Sequence, residues 1–153
     1  MGYTTLNNTS EADSHFRQLY EEAPLPYQSL DTKGMLLEVN QAWEEAFGYT
    51  REEALGRYIG DFHVPGQGDK LRQKFTEFLQ RDSINAVEFE FNCKNGARKL
   101  MSVSGRIVRD KHGEFQRTHC ILIDVTERKV NEKALKESEE KYRLAMEATQ
   151  DGL

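Results

Sequence analysis

The stretch from Asp31 to Gly56 limits the possible folds more than any other part of the sequence. It opens on Asp31-Thr32-Lys33-Gly34, a turn sequence in which the glycine is free to take a positive φ. An extended run, Tyr27 to Leu30, precedes the turn, and an apolar run, Met35 to Val39, follows it. This pattern predicts a hairpin of two strands.

Two short helices are predicted directly after the hairpin. Asn40 has the side-chain oxygen that an N-cap needs, and Gly48 ends the first helical pattern. Thr50 and Glu53 have the spacing of a capping box for a second helix. Helices this short cannot bury their own apolar side chains, so they must lie on an apolar surface encoded elsewhere. The side chains to be buried are Trp43, Phe47, Tyr49 and Leu55.

The second half of the chain supplies that surface. After an irregular connection over 57–68, Asp69 is predicted to cap a longer helix with an apolar stripe. From Ile84 the apolar period changes to two, and the turns at Asn95-Gly96 and at 110–113 separate three strands. Because tight hairpins join these strands, they are predicted to be antiparallel. The helix stripe consists of Leu71, Phe75, Phe78 and Leu79.

The alternation within the strands predicts which side chains face the helices, and a small ligand pocket is expected between the two layers. The sheet residues assigned to this face are Phe89, Phe91, Met101, Val103, Ile121 and Ile123. The residues assigned to the opposite wall are Trp43, Phe47, Phe62, Phe75 and Phe78.

Two motifs in this order resemble those of the PAS domain, a sensory module common in signalling proteins. The first comprises the Asp31 to Gly34 turn, Asn40, Gly48-Tyr49 and the run from Thr50 to Gly56, and the second is the Asp124 to Lys129 stretch DVTERK. The resemblance implies an α+β fold with a five-stranded antiparallel sheet and short helices on one face. It also implies an N-terminal flanking helix and a C-terminal signalling helix.

The chain is accordingly divided into five segments. They are a disordered tail over 1–9, a flanking helix over 10–23, a PAS core over 24–125, a connector helix over 126–141 and the truncated start of a second PAS domain over 142–153. The last assignment is based on the alignment of 142–153 with 16–27, directly after the exit motif and connector helix.

Both flanking segments favour a homodimer. The stripe of the N-terminal helix must be covered, either by the outer face of the sheet or by the same helix of a second copy, and the sequence does not choose. In the connector helix, Leu135 and Tyr142 are seven residues apart, with Asn131 and Ser138 at the companion positions, which is typical of a marginal coiled coil. The N-terminal stripe consists of Phe16, Leu19, Tyr20 and Ala23.

Composition excludes several other partners. A net charge of -5 without a basic block argues against nucleic acid and anionic membranes. The longest purely apolar run, Cys120 to Ile123, is far too short to cross a membrane, so a cytoplasmic location is expected, although the parent protein is free to carry membrane segments elsewhere. Cys93 and Cys120 match no metal-binding spacing and are interpreted as reduced structural thiols.

No bound cofactor is expected. The resemblance places the haem-binding histidine of related domains on the long helix, but 69–81 contains none. His63, just before that helix, is interpreted as an exposed or capping loop residue. The flavin photochemistry of related domains needs a reactive cysteine in the connection, and 57–68 contains none. Noncovalent flavin stacked on Trp43 or Phe47 stays open beside the core-packing interpretation of both rings.

The resemblance therefore implies a sensory module, without enzymatic activity of its own, that binds a small ligand or relays a conformational change to an output domain of the same chain. A sensor histidine kinase is the expected output. The alternatives are a diguanylate cyclase, a chemoreceptor, or a ligand-free module for dimerisation and interaction. Asp124 and Thr126 are the expected relay residues. Thr126 is expected to cap the exit helix, and Asp124 is expected to pair with a nearby basic side chain or backbone amide.

Overall fold

A computed structural model of the protein describes residues 25–151, with side chains up to 148. The tail predicted over 1–9 and the flanking helix predicted over 10–23 lie outside the described residues. The strands are β1 (Tyr27–Leu30), β2 (Leu36–Val39), β3 (Ser83–Asn92), β4 (Arg98–Arg109) and β5 (Phe115–Asp124). The helices are α1 (Gln41–Phe47), α2 (Arg51–Ala54), a 3-10 helix (Ile59–Phe62), α3 (Gly68–Arg81) and α4 (Thr126–Asp151).

The five strands form one antiparallel sheet in the order β2-β1-β5-β4-β3. The first and last strands of the chain are therefore neighbours at its centre, and β2 and β3 form its edges. This confirms the predicted sheet. The exit helix α4 follows a strand that is paired on both sides.

The local predictions for the first half of the chain are confirmed. Gly34 has φ +81° in the hairpin turn. The side-chain oxygen of Asn40 accepts a hydrogen bond from the backbone N–H of Trp43 at 3.0 Å, and Gly48 ends α1 with φ +83°. Both bonds of the capping box between Thr50 and Glu53 are present.

The predicted cap of α3 is wrong. Gln67, not Asp69, occupies the N-cap position, and no side chain accepts a hydrogen bond there; Asp69 lies in the first turn of the helix. The side-chain amide of Gln67 instead bonds to the backbone of Glu90 in β3, accepting at 2.8 Å and donating at 2.7 Å. These bonds join the start of α3 to an edge strand.

The core lies between one face of the sheet and the helices α1 to α3. Trp43 is fully buried and makes edge-to-face contacts with Phe47 and Phe62, at ring-centroid distances of 4.9 Å and 5.4 Å. Phe47 stacks on Phe91 of β3 at 4.8 Å. The short helices thus bury their aromatic side chains on the sheet, as the sequence predicted.

The predicted inner face of β5 is wrong by one residue. Ile121 and Ile123 are 47% and 48% exposed, whereas Cys120 and Leu122 are buried. The register explains the difference, because Leu122 lies opposite Val103 and directly opposed residues share a face. The two isoleucines therefore lie on the outer face of the sheet.

The exit helix α4 runs without interruption through residue 142, so it neither supports nor contradicts a domain boundary there. All its described side chains from 127 to 148 are exposed. Within residues 25–151, no helix combines the length and the apolar character that crossing a membrane requires.

Candidate functional site

A cavity of about 30 Å³ lies between α3 and the inner face of the sheet. Its walls come from β1, β3, β4, β5, α3 and the segment around the 3-10 helix. The lining residues are Gln28, Leu30, Ile59, His63, Leu71, Lys74, Phe75, Phe78, Ile84, Phe89, Phe91, Val103 and Cys120. The volume is two to three times the ~10–15 Å³ that one water molecule needs.

The predicted pocket residues fall into three groups. Five of them line the cavity, namely Phe75, Phe78, Phe89, Phe91 and Val103. Four are buried in the same core without lining it, namely Trp43, Phe47, Phe62 and Met101. Ile121 and Ile123 lie on the opposite face of the sheet and belong to neither group.

The prediction that His63 is an exposed or capping loop residue is wrong. It is 7% exposed rather than a surface loop residue. Its ring stacks on Phe89 at a centroid distance of 4.8 Å and meets Phe91 edge-on at 4.5 Å. Burial, and to a lesser degree the charge of Lys70, lowers the pKa of His63 to about 4, so the ring is neutral at pH 7. Its position between Phe62 and Val64 was the available signal for burial.

The other polar groups of the wall are held by protein partners. The side-chain oxygen of Gln28 accepts a hydrogen bond from the indole N–H of Trp43 at 3.1 Å. Lys74 pairs with Glu77 at 3.4 Å. Burial raises the pKa of the Cys120 thiol to about 12, so this group is not a nucleophile at neutral pH.

A wider, open cleft of about 340 Å³ lies where α1 ends beside the hairpin between β3 and β4. Its two lysines are already engaged. Lys99 donates to the carbonyl oxygen of Ala46 at 2.7 Å, and Lys94 pairs with Glu53 at 2.8 Å. The cleft therefore offers a ligand no lysine that is free of a protein partner.

The junction between β5 and α4 is tied to β4. The backbone N–H of Val125 donates to the carbonyl of Leu100 at 2.9 Å, and the N–H of Leu100 donates to the hydroxyl of Thr126 at 2.7 Å. Thr126 is the first residue of α4, and its hydroxyl bonds to the strand instead of capping the helix as predicted. Asp124 does accept the predicted backbone bond, from the N–H of Thr126 at 2.9 Å. The relay role of both residues stays a prediction.

A second tie connects α4 to β3. Lys129, in the first turns of α4, pairs with the carboxylate of Glu88 at 3.3 Å. The next residue of that strand, Phe89, lines the cavity. On the cavity side, Lys70 of α3 lies 4.8 Å from the centre of the Phe89 ring and donates to the backbone carbonyl of Glu88. The cavity and the exit helix thus contact consecutive residues of one strand.

No group of three or more histidine, cysteine, aspartate or glutamate side chains in the described part of the chain is arranged to hold a metal ion. Both cysteines, Cys93 and Cys120, are buried and free of disulfides.

Comparison with known proteins connects this architecture to a family. The family profile described as PAS domain matches residues 26–127. Over 80% of its length, the chain superimposes on the PAS domain of an HTR-like protein from Haloarcula marismortui, with 98% of that chain covered, a TM-score of 0.64 and 24% identity. It also superimposes on an RNA-binding Light-Oxygen-Voltage receptor over 86% of its length and 38% of the receptor, with a TM-score of 0.75 and 18% identity.

Two curated relatives are much longer than this chain. The sensor histidine kinase TmoS of Ectopseudomonas mendocina is 23% identical over 125 residues, which are 81% of this chain and 13% of that protein. The uncharacterized protein y4lL of Sinorhizobium fredii (strain NBRC 101917 / NGR234) is 27% identical over 129 residues, which are 84% of this chain and 16% of that protein. The chain therefore spans less than a fifth of either relative.

The profile match covers about two thirds of the chain and includes all five strands and the start of α4. The chain belongs to the PAS domain family, a family of sensory domains.

Proposed function

We propose that this PAS domain controls an output domain of a longer signalling protein through the orientation of α4, and that the output is a histidine kinase. The observation that carries the proposal is the attachment of α4. Its first residue bonds to β4 through Leu100, and its Lys129 bonds to Glu88, next to a residue of the cavity wall. The similarity to TmoS supports a kinase as the output.

Small changes in the cavity can reach α4 through these contacts. A shift of Phe89 moves the backbone of β3, and with it the carboxylate that holds Lys129. Each hydrogen bond or ion pair at the junction contributes on the order of 1 kcal/mol. That energy is enough to shift a two-state equilibrium about fivefold without unfolding the core.

The test grafts residues 1–151 onto a histidine kinase output and measures autophosphorylation. Asp124→Ala and Thr126→Ala are expected to change the basal kinase rate several-fold, because each removes one bond that fixes the start of α4. Gln41→Ala is the matched control, since its side chain bonds to Glu45 on the exposed surface of α1. If both junction variants keep the melting temperature and the kinase rate of the parent, the proposed relay is wrong.

A second candidate function is an interaction module without a ligand. The small volume of the cavity favours it, because a core that is nearly filled needs no further molecule. Native mass spectrometry of protein purified from several hosts distinguishes this interaction module from a module that senses a bound ligand. A reproducible bound mass supports ligand sensing, and the bare chain from every host supports the interaction module. Diguanylate cyclases and chemoreceptors are the alternative outputs.

A further inference from the structure

Two side chains help to close the outer edge of β3. The side-chain amide of Gln67 accepts from the backbone N–H of Glu90 at 2.8 Å and donates to its carbonyl at 2.7 Å. The same amide donates to the carbonyl of Val64 at 3.2 Å, and the N–H of Val64 donates to the carbonyl of Glu90 at 2.9 Å. Lys70 donates to the carbonyl of Glu88. Residues 64–70 therefore lie along this edge and satisfy backbone groups that point out of the sheet.

The opposite edge of the sheet, β2, is closed in a different way. The N–H of Leu36 donates to the carbonyl of Arg57, and the carbonyl of Leu36 accepts from the N–H of Gly56, both at 2.8 Å. The covering segment continues directly into Ile59 and Phe62, which are buried. Backbone hydrogen bonds and burial together therefore fix that edge.

The segment over β3 has little besides its hydrogen bonds to hold it in place. Every side chain from 64 to 70 is exposed or only partly buried, whereas the residues on either side of the segment are buried. Gly66 and Gly68 flank Gln67, and Gly66 has φ +101°, a conformation that favours glycine. Segments with few buried contacts and exposed hydrogen bonds are those that open locally while the core stays folded.

Glu88 connects this segment to the exit helix. Its backbone carbonyl accepts the hydrogen bond from Lys70, and its carboxylate pairs with Lys129 of α4 at 3.3 Å. The segment and α4 are therefore bonded to the same residue of one edge strand. A movement of the segment away from β3 removes one of the bonds that fix this residue.

We propose that residues 64–70 form a latch, which opens and closes over the edge of β3 while the core stays folded. Gln67 holds the latch closed, and opening loosens the attachment of α4 at Glu88. A molecule that binds one of the two states better would shift the equilibrium between them. This inference rests on the proposed function, since it names the part of the domain that regulates α4.

Amide hydrogen exchange of the complete chain, followed by NMR, tests whether the latch opens by itself. The Glu90 amide points to the latch, so by alternation the Phe91 amide points to β4. After correction for intrinsic rates, the Glu90 and Val64 amides are expected to exchange about tenfold or more faster than Phe91. The Leu36 amide, at the other edge, is expected to be protected like Phe91. Equal protection of Glu90 and Phe91 would show that the latch opens only with the whole fold.

A variant then tests the role of Gln67. Gln67→Ala is expected to speed exchange at Glu90 and Val64 about tenfold or more, because it removes three hydrogen bonds. Val64 is the decisive position, since the carbonyl that accepts its bond is still present in the variant. Gln73→Ala changes an exposed glutamine of α3 and is expected to have no effect. If Gln67→Ala speeds exchange at Glu90 alone, Gln67 only covers one amide and the latch is wrong.

The connection to α4 is tested in the reverse direction. If opening weakens the pair between Glu88 and Lys129, that pair must in turn favour the closed latch. Lys129→Met is therefore expected to speed exchange at Val64 about two- to fivefold, as loss of a partly exposed ion pair predicts. Lys133→Met, on the exposed surface of α4, is the matched control. An unchanged rate at Val64 in Lys129→Met would contradict the connection. Exchange is read without an output domain, so a failed latch and a failed relay in the kinase fusion are distinguishable.

Discussion

At the scale of single residues, His63 makes stability depend on pH. Burial lowers its pKa to about 4, whereas an unfolded chain has a histidine pKa near ~6.5, so between these values the unfolded state binds more protons. Stability from the neutral ring is fully present above pH ~6.5 and is lost as the pH falls towards 4. The loss reaches about 3 kcal/mol, since each pKa unit corresponds to about 1.4 kcal/mol.

Urea unfolding of the parent and of His63→Phe at several pH values between 7.5 and 4 measures this effect. The parent is expected to lose stability relative to the variant as the pH falls, because the phenyl ring does not titrate. Other acid-sensitive groups are common to both proteins and cancel in the difference. A difference in free energy that stays constant across this range would show that the ring takes up a proton without cost in the folded state.

Trp43 is a second residue with a measurable role. Trp43→Ala is expected to destabilise the protein by about 3–5 kcal/mol, because the ring is fully buried and its removal leaves a cavity. Trp43→Phe is the matched change. It keeps an aromatic ring but removes the indole donor to Gln28, and is expected to cost about 1–3 kcal/mol. Urea melts test both values, and a loss below about 1 kcal/mol for Trp43→Ala would show that the site tolerates the empty space.

At the scale of elements, the first half of the fold could be predicted because local chemistry determines it. The turn at Gly34, the N-cap at Asn40 and the capping box at Thr50 each involve residues within a few positions of one another. Because these interactions involve only nearby residues, they can form in any fold that allows the turn or helix itself to form. They explain why the sequence predicted the hairpin and both helices.

The inner face of β5 could not be predicted, because this strand is apolar on both faces. Cys120 and Leu122 alternate with Ile121 and Ile123, so periodicity alone gives no preference. The pairing of Leu122 with Val103 determines which face of β5 points towards the helices, and this pairing depends on the register of the hairpin after β4. The burial of His63 is equally hard to predict from local sequence, because it results from contacts with Phe89 and Phe91 far along the chain.

The start of α4 offers a prediction for an element. Thr126→Ala is expected to speed hydrogen exchange of the Leu100 amide several-fold, because the hydroxyl that accepts its bond is lost. Thr126→Ser keeps the hydroxyl and is expected to behave like the parent. Exchange measured by NMR tests both. Equal protection of Leu100 in the alanine and serine variants would mean that the hydroxyl does not hold the junction.

At the scale of the whole molecule, the purified protein is expected to be colourless above 350 nm. A cavity of about 150 Å³ is known to take up benzene, and the cavity here has about 30 Å³, so neither haem nor flavin fits without a large rearrangement. In addition, α3 carries no histidine and the connection before it no cysteine. An absorption spectrum of freshly purified protein tests this, and a haem or flavin band would contradict it.

The exit helix predicts how two copies of the molecule associate. Every described side chain from 127 to 148 is exposed, and among these Leu135 and Tyr142 are 61% and 70% exposed. Because most helical stability in proteins comes from packing of an apolar face, pairing with α4 of a second copy would stabilise this helix. A coiled-coil seam through Leu135 and Tyr142 has Asn131 and Ser138 at its other inward heptad positions. Because both are polar, the dimer is expected to be weak.

Two substitutions with opposite expected effects test by sedimentation equilibrium whether the two copies meet along this seam. Ser138→Leu is expected to strengthen the dimer, because it adds an apolar side chain between Leu135 and Tyr142, whereas Tyr142→Glu is expected to give a monomer. Val130→Glu is the matched control, since Val130 is equally exposed but lies about 140° around the helix from Leu135. If neither seam variant changes the association constant, or if Val130→Glu alone abolishes the dimer, the two copies do not meet along Leu135 and Tyr142.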